Sequence, residues 1–570
     1  MNISPEADTP RLSLEVGSLY GGRFSGSLIP GDVIKMTMNF AGLNVEPLLV
    51  SLGQPSVWKG RLTAAASLSA DGSNASRFLS SVKGSMTARL DNGSLMLADK
   101  GARQSFKKLG FSFQGRGQKG NVPTAFVCVG KWTGEVDQEN THLTANIEGP
   151  VRFTWGPQGM HASGADLKSS LSAGQKGLAG TLSGILGFDT DKGMLEINGI
   201  QGRSDGADLT GTIKGSDLRH AARWEGNLTL VNGNLRRVLA ACDALPDGLP
   251  SSALRNLSAS ARFSMNGDTL EIREVRGKLD QTLFSGQLGK KNGPDRPQWS
   301  FNLDLETLNV DTYLPQGSSP KTSSPWPAEK LNIVDAQGKL TAKKLIIAQI
   351  PHERLVIPVL LKNGVLTADP ITASVTGGRA GAGFRAEATS DGALVRLRYT
   401  LADCDMYRLS LARHQADLIA GTGNFDADAS GRVRSSADIP GALNGTWKFA
   451  ITNGGLGKSF RFSHLGASGK LASGVLSSRD MALRGSSFNV KGYGWINLVK
   501  KTLDYNLTVS GSGLPDIPVR YYGSLSNPRR SISASSIIMG TLSGLFNGTL
   551  SVLDTIIAAP LRYLGPSARL

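Results

Sequence analysis

Side chains with the chemistry for catalysis are few in this sequence and lie far apart. No two of the six histidines stand four residues apart, the spacing that places two metal ligands on one helix face. These histidines are His142, His161, His220, His352, His414 and His464. No serine–histidine or cysteine–histidine signature is recognisable, and no paired carboxylates recur in a shared setting. The sequence therefore predicts no catalytic residues, no metal site and a protein that is not an enzyme.

The motif closest to a cofactor site resembles a phosphate-binding loop. The stretch "TNGGLGKSF" (452–460) contains Gly457, Lys458 and Ser459 in the order of a Walker A motif. That motif also needs a glycine five residues before Gly457, and this position is Thr452. Because the motif is incomplete, we expect no nucleotide and no other cofactor.

Composition favours a protein rich in tight turns. Of 570 residues, 40% are hydrophobic and 19% are charged, and glycine occurs 70 times without a collagen-like period. The net charge of +16 fits either a solvated basic surface or attraction to anionic lipid. No nucleic-acid-binding module is recognisable, so we expect no nucleic acid partner. Cys128, Cys242 and Cys404 lack the spacing of zinc ligands or of a disulfide framework.

Alternation of apolar and polar residues is the main structural signal. It is clearest in "RLSLEV" (11–16), "IKMTMNF" (34–40), "WSFNLDLE" (299–306) and "LDYNLTV" (503–509). A strand with one apolar face and one wet face is typical of an antiparallel sheet. Short helices are predicted at 43–52 and 233–243, and a longer one at 533–560. The Asn-Gly pairs beginning at residues 92, 232, 266, 363 and 453 are candidates for hairpin turns.

Internal repetition links the two halves of the chain. Three glycines of the first half have the same spacing as three glycines of the second half. They are Gly60, Gly84 and Gly93 in the first half and Gly421, Gly445 and Gly454 in the second. Each set follows a Gly-Gly-Arg stretch, at 21–23 and at 377–379, and "LNVEPLL" (43–49) matches "LNVDTYL" (308–314). We infer that one β unit is used at least twice. The Pro- and Ser-rich stretch at 316–329 is predicted to be a linker or long loop.

The order of these motifs resembles the C-terminal region of AsmA-like proteins of the bacterial envelope. The hairpin "SLYGGRFSGSL" (18–28), the helix "LNVEPLLVSL" (43–52) and the strands "GRLTAAASLSADG" (60–72) and "VKGSMTARLDNGSLM" (82–96) follow in that order. The order is repeated at 371–456, and "LPDIPVRYYGSLSNPRR" (514–530) is similar to the closing strand of the family. The resemblance covers most of 1–100 and 330–530 and the middle more loosely.

The resemblance implies a mainly β fold. It implies a long, antiparallel, twisted sheet that forms an open, taco-like groove, with a few short helices and a C-terminal amphipathic helix. The groove would be built from 1–315 and 330–530, joined by 316–329 and followed by a helical tail at 531–570. It also implies a periplasmic location with an inner-membrane anchor. Residues 1–16 lack a signal-peptide pattern and no stretch before residue 530 is apolar enough to span, so we expect that anchor outside this chain.

Apolar residues of the alternating strands are the expected lining of the groove, because every second side chain falls on one face. The expected lining residues are Leu12, Leu14, Val16, Met36, Met38, Phe40, Met86, Ala88, Leu90, Trp447, Phe449, Ile451, Val490, Leu507 and Val509. The alternative is that these side chains fill the closed core of a β-sandwich.

The C-terminal segment 533–560 differs from the rest, since Asp554 is its one charged residue. The apolar residues that can share one helical face are Ile538, Leu542, Leu545, Leu553 and Ile556. Four interpretations remain open: the segment caps the groove, lies in a membrane interface, docks a partner or spans a membrane.

The predicted function is non-enzymatic binding and conduction of phospholipid along the groove between inner and outer membrane, in support of outer-membrane biogenesis. The expected partners are phospholipid, the inner or outer membrane and an envelope protein. The main alternative is an assembly factor that regulates outer-membrane protein targeting or insertion, and a surface adhesin is a third interpretation.

Overall fold

The structure is a computed structural model. It describes residues 2–6, 9–51, 58–73, 77–78, 81–96, 103–119, 125–138, 141–156, 159–175, 178–204, 206–218, 221–241, 245, 249–314, 331–412, 419–435, 438–456, 460–486, 488–511, 516–525 and 527–532.

The chain divides into two compact units. Unit 1 comprises Met1–Leu245 and Arg255–Gly267, and unit 2 comprises Pro246–Leu254 and Asp268–Leu570. The linker predicted at 316–329 lies outside the described residues, so its character stays a prediction, as do the domain bounds drawn around it. The same holds for the C-terminal helix with Ile538, Leu542, Leu545, Leu553 and Ile556, and for Gly457, Lys458 and Ser459.

Unit 1 consists of strands with two short helices among its described residues. In chain order its elements are β1 (Asn2–Glu6), β2 (Thr9–Leu19), β3 (Gly22–Ile29), β4 (Val33–Asn44), α1 (Val45–Ser51), β5 (Trp58–Asp71), β6 (Lys83–Met96), β7 (Arg103–Lys119), β8 (Ala125–Gln138), β9 (Thr141–Gly156), β10 (Gly159–Gln175), β11 (Leu178–Asp189), β12 (Met194–Ser204), β13 (Ala207–Ser216), β14 (Arg223–Gly233), α2 (Leu235–Ala241) and β15 (Leu257–Asn266).

Unit 2 also consists mainly of strands, with a few short helices among its described residues. Its elements are β16 (Thr269–Leu279), β17 (Thr282–Asn292), β18 (Pro297–Asn309), a 3-10 helix (Val310–Tyr313), β19 (Asp335–Ile347), β20 (Ile350–Lys362), β21 (Val365–Val375), β22 (Gly378–Thr389), β23 (Gly392–Asp405), α3 (Met406–Ala412), β24 (Ile419–Val433), α4 (Ile439–Ala442), β25 (Asn444–Leu456), β26 (Phe460–Ala472), β27 (Val475–Gly485), β28 (Phe488–Asn497), β29 (Thr502–Gly511), β30 (Ile517–Ser524) and β31 (Asn527–Ile532).

Each strand pairs with the next one along the chain within its unit. The pairing is antiparallel from β1 to β15 in unit 1, and from β16 to β18 and from β19 to β31 in unit 2. Strands β18 and β19 instead run parallel, with Leu303 opposite Leu340. The predicted fold class, a mainly β protein with antiparallel strands and a few short helices, is confirmed. No helix among the described residues has the length and hydropathy that crossing a bilayer requires.

The Asn-Gly pairs do not all make hairpins. Asn363 and Gly364 lie in the turn between β20 and β21, with φ angles of 52° and 75°. Asn92, Asn232 and Asn453 have similar φ angles, 48°, 52° and 51°, but lie inside β6, β14 and β25. Asparagine tolerates the left-handed conformation in either setting. The prediction of hairpin turns at these three pairs was therefore wrong, because an Asn-Gly pair can also form an irregularity within a strand.

The repeated unit of the sequence is a hairpin, a strand and a short helix. The amide of the residue before each of three α-helices donates a hydrogen bond to a carbonyl in the turn of the preceding hairpin: Asn44 to Tyr20 at 2.9 Å, Asn234 to Gly206 at 2.6 Å and Asp405 to Thr376 at 3.3 Å. The helices that follow are α1, α2 and α3. The bond fixes where the chain leaves the sheet, so the sequence repeat corresponds to a repeated structural unit.

The packed core differs between the units. In unit 2 one large cluster of buried residues extends from Val375 to Tyr521 along the chain and includes Leu465, Leu483 and Leu507. In unit 1 the buried cluster is small, formed by Val151, Leu167 and Leu186 with partly buried neighbours. The apolar face of the sheet is therefore mostly covered in the second half of unit 2 and mostly uncovered in unit 1.

Candidate functional site

The apolar face of unit 1 is built from rows of side chains that cross the sheet from strand to strand. Residues directly opposite each other in neighbouring strands share a face. The Met38 row consists of Leu14, Gly26, Met38, Ala66, Met86, Phe113, Trp132 and Ile147. The Phe40 row consists of Val16, Phe24, Phe40, Ala64, Ala88, Phe111, Gly134, Ala145 and Leu171.

Two further rows flank these. The Met36 row consists of Leu12, Leu28, Met36, Leu68, Gly84, Gly115, Gly130 and Gly149, and the Leu90 row of Leu43, Leu62, Leu90, Leu109, Val136, Leu143 and Ala173. All nine lining residues predicted in the first half of the sequence fall in these four rows. The structure thus brings them onto one face; whether they contact a lipid stays a prediction.

Side chains on this face are only partly covered by the rest of unit 1. Leu14 is 48% exposed and Met86 38% exposed, whereas Met38 and Phe40 are half-buried. Leu90, in the middle of β6, is buried. The apolar face extends over β2–β10 and remains accessible. An ordinary protein surface exposes apolar residues singly, so a continuous apolar face of this extent indicates a binding surface.

The opposite face of the same strands is polar. One of its rows consists of Ser13, Ser27, Thr37, Ser67, Ser85, Gln114, Lys131 and Glu148. Two of its members, Ser27 and Thr37, share a hydrogen bond across the strands, with Oγ and Oγ1 2.7 Å apart. The sheet therefore has one wet face and one apolar face, as the alternation predicted.

Aromatic residues concentrate on the apolar face at β7 and β8. The ring of Trp132 lies 4.0 Å from that of Phe113 and 5.6 Å from that of Phe111, centroid to centroid. On β3 and β4, Phe24 and Phe40 lie 4.9 Å apart. The sequence analysis did not include Phe24, Phe111, Phe113 and Trp132 in the lining, although each lies on the alternating face of its strand.

Unit 2 has an apolar cavity of about 340 Å³ on the corresponding face. Its wall extends from Ile350 on β20 to Leu503 and Tyr505 on β29, so these strands curve around it. None of the described residues that line it carries a charge. A half-enclosed cavity with an apolar wall and a few polar groups is typical of a small-molecule or lipid site.

The predicted lining residues of the second half separate into two groups. Trp447, Phe449 and Ile451 line the cavity, and the rings of Trp447 and Phe449 are stacked with centroids 6.2 Å apart. Val490, Leu507 and Val509 lie in the packed core with exposures of 1%, 2% and 5%, and they do not contribute to the cavity wall. Whether these three residues contact a lipid stays a prediction.

Helix α3 closes one side of the cavity. Met406 and Leu409 of this helix lie in its wall and are buried. Met406 fits there because residue 423 opposite it is glycine: a Cβ atom at Gly423 would lie 2.3 Å from the Met406 sulfur. Sequence reasoning missed both helix residues, since their apolar type alone did not distinguish them from core residues.

Two cysteines and one histidine among the described residues are buried or partly buried reactive side chains. Burial raises the pKa of the Cys128 and Cys404 thiols to about 11, which keeps them protonated and poorly nucleophilic at neutral pH. Burial lowers the pKa of His352, whose Nδ1 lies 3.1 Å from the carbonyl of Ile350. Within the described ranges, no three His, Cys, Asp or Glu residues are grouped as metal ligands.

A wider depression of about 600 Å³ lies at β16–β20. Its wall mixes polar groups of both charges, such as Glu271, Lys291, Asp335 and Lys362, with apolar ones. Two of the charged groups are already engaged, since Arg273 pairs with Glu271 and Arg296 with Asp335. The depression lacks the continuous apolar wall of the smaller cavity, so we do not assign it as the candidate site.

Part of the chain matches a known protein family. A search of curated proteins found no match to this chain. Residues 203–460, a little under half of the chain, match the family model described as the AsmA family. The matched region includes β13 to β25, and with them the hairpin, strand and helix that end at α3. This part of the chain is therefore similar to the AsmA family.

Proposed function

We propose that this protein binds phospholipid on the apolar face of unit 1 and in the apolar cavity of unit 2, and conducts it between the inner and outer membranes of the bacterial envelope. The family match indicates an envelope-associated protein. The observation that carries the proposal is the set of four apolar rows in unit 1, which remain accessible across β2–β10.

The physical argument concerns the free energy of moving an acyl chain. Each CH₂ group transferred from water to an apolar surface gains about 0.8 kcal/mol. Exchange between a membrane and the apolar face is nearly neutral because both environments are apolar. Movement of lipid then needs no chemical reaction, which agrees with a protein that is not an enzyme. The net charge of +16 would favour anionic headgroups near the protein.

Lipid extraction from protein purified without detergent tests the proposal. We expect mass spectrometry to find phospholipid bound in stoichiometric amount, and repeated isolation of lipid-free protein would contradict it. Photo-crosslinking from position 38 separates this function from the assembly-factor alternative. Lipid adducts support conduction of lipid, whereas adducts with envelope proteins alone support assembly or regulation of protein targeting.

A further inference from the structure

One hydrogen-bond donor in the unit 2 cavity is buried without a partner, and a second potential donor lies near it. The Trp447 Nε1–H is buried and makes no hydrogen bond. Tyr399 is a partly buried residue of the same wall, and its hydroxyl can donate to a molecule in the cavity. The two residues belong to one row of the sheet, in which Tyr399 lies opposite Ala427 and Ala427 lies opposite Trp447. A buried, unpartnered donor and a second donor thus lie two strands apart on a mostly apolar wall.

The buried Trp447 donor calls for a physical explanation. A buried polar group without a partner costs about 1–3 kcal/mol, and most buried groups in folded proteins are satisfied. Water is a poor partner here, because a stable buried water needs two to four polar contacts and this wall is mostly apolar. Burial also raises the pKa of Tyr399 to about 12, so its hydroxyl keeps its proton at neutral pH. A bound ligand with acceptor atoms would satisfy both groups.

The charge of the wall limits which acceptor fits. No lysine, arginine or histidine is among the described residues that line the cavity. An anionic phosphate or carboxylate would therefore be desolvated there without a counter-charge, which is costly. Two other polar side chains lie in the wall, Asn424 and Tyr505. Asn424 already accepts a hydrogen bond from the Asp403 amide through its Oδ1 at 3.1 Å. A neutral carbonyl on an apolar chain fits the wall best.

We propose that the unit 2 cavity binds the acyl chain of a carboxylic ester, with Tyr399 and Trp447 donating hydrogen bonds to ester carbonyl oxygens. This inference rests on the proposed function and specifies it. The open face of unit 1 accepts acyl chains through apolar contact, whereas the cavity also recognises the linkage that joins the chain to glycerol. Free fatty-acid anions and phosphate groups are excluded from the cavity by its lack of positive charge.

The test compares ester-linked and ether-linked lipids that are otherwise the same. Full-length, delipidated protein is incubated with vesicles of dioleoyl phosphatidylglycerol or of its diether analogue, and the captured lipid is measured by native mass spectrometry. One hydrogen bond contributes about 0.5–1.5 kcal/mol, so we expect about a three- to tenfold preference for the ester lipid. The variants Tyr399→Phe and Trp447→Phe each retain a ring, and together they should abolish the preference while capture of the ether lipid is unchanged.

Trp495→Phe is the matched control. Trp495 of unit 2 is 39% exposed and does not line the cavity. We expect this variant to keep the wild-type preference for ester lipid. Equal capture of both lipids by the wild type would overturn ester recognition and leave lipid binding intact. A preference that persists in the double variant would overturn the roles of Tyr399 and Trp447, and capture of neither lipid would overturn the proposed function as well.

Discussion

Phe462 lies so close to the backbone of Gly454 that a Cβ atom at Gly454 would be 2.0 Å from the phenyl ring. The two residues are directly opposite each other on β25 and β26. Unit 1 contains the same arrangement, in which Phe106 lies opposite Gly93 and a Cβ at Gly93 would be 2.5 Å from the ring. An aromatic ring that covers a glycine in the neighbouring strand is thus part of the repeated unit.

The change Gly454→Ala should destabilise unit 2. The added methyl group would overlap the Phe462 ring, which must shift within a packed cluster, and such overpacking typically costs about 1–3 kcal/mol. Urea unfolding monitored by tryptophan fluorescence measures the loss. Gly17→Ala is the control, because nothing lies within 4 Å of a Cβ at that position. Equal urea midpoints for the two variants would contradict this prediction, because they would show that the Phe462 ring moves aside without loss of stability.

Glycine spacing was enough to predict the repeat from the sequence, and the reason is physical. At Gly60 a Cβ would contact Leu90 and Gly93, and at Gly421 it would contact Ile451 and Gly454. Only glycine allows these close approaches, so a glycine at such a position indicates close contact between neighbouring strands. Alternation likewise predicted which side chains share a face, because the period of a strand is two.

The alternation of apolar and polar residues did not predict whether other parts of the protein cover the apolar face of a strand. Leu14 and Leu507 both occur in strands with the same alternating pattern, yet Leu14 is 48% exposed and Leu507 2% exposed. The difference depends on the curvature of unit 2, which brings residues from β20 and β29 to one cavity although they are distant in sequence. The cavity residues Tyr399, Met406 and Leu409 were missed for the same reason.

Truncation of these two leucines should therefore have different effects. Leu507→Ala removes a fully buried side chain from the large cluster of unit 2 and should reduce the free energy of unfolding by about 2–5 kcal/mol. Leu14→Ala should change it by no more than about 0.5 kcal/mol, because the side chain is already half-exposed. Chemical denaturation of delipidated protein provides the comparison. A similar large loss at Leu14 would mean that the face of unit 1 is closed in solution.

Stability should depend on pH through the pair Asp504–Arg520. The Arg520 Nε donates to Asp504 Oδ1 at 2.9 Å, and this hydrogen bond lowers the pKa of Asp504 below its ordinary value of 3.8. A carboxylate with a lowered pKa in the folded state stabilises the protein above its unfolded pKa, and the contribution is lost as the pH falls through the folded pKa. The difference in melting temperature between wild type and Asp504→Asn should therefore be full near pH 7 and shrink as the pH falls below the ordinary Asp pKa toward the lowered folded value.

Two controls identify the source of that pH dependence. High salt should reduce the difference at pH 7, because Arg520 is largely exposed and its charge is screened. The variant Asp426→Asn removes an exposed carboxylate of β24 and should shift the melting temperature little at either pH. A difference that grows on acidification would contradict the assignment to the ion pair.

A charge on the apolar face should remove bound lipid without unfolding the protein. Met38→Glu places a carboxylate in the middle of the Met38 row, where it would have to be desolvated beneath an acyl chain. Asn39→Glu adds the same charge to the next residue of β4, whose side chain is exposed on the polar face. We expect phospholipid per protein, measured by mass spectrometry after extraction, to fall severalfold for Met38→Glu and to be unchanged for Asn39→Glu.

Melting temperatures within a few degrees of wild type would exclude unfolding as the cause. Equal lipid content in the two variants would indicate that lipid binds elsewhere, and a large loss of stability confined to Met38→Glu would indicate that position 38 belongs to a closed core.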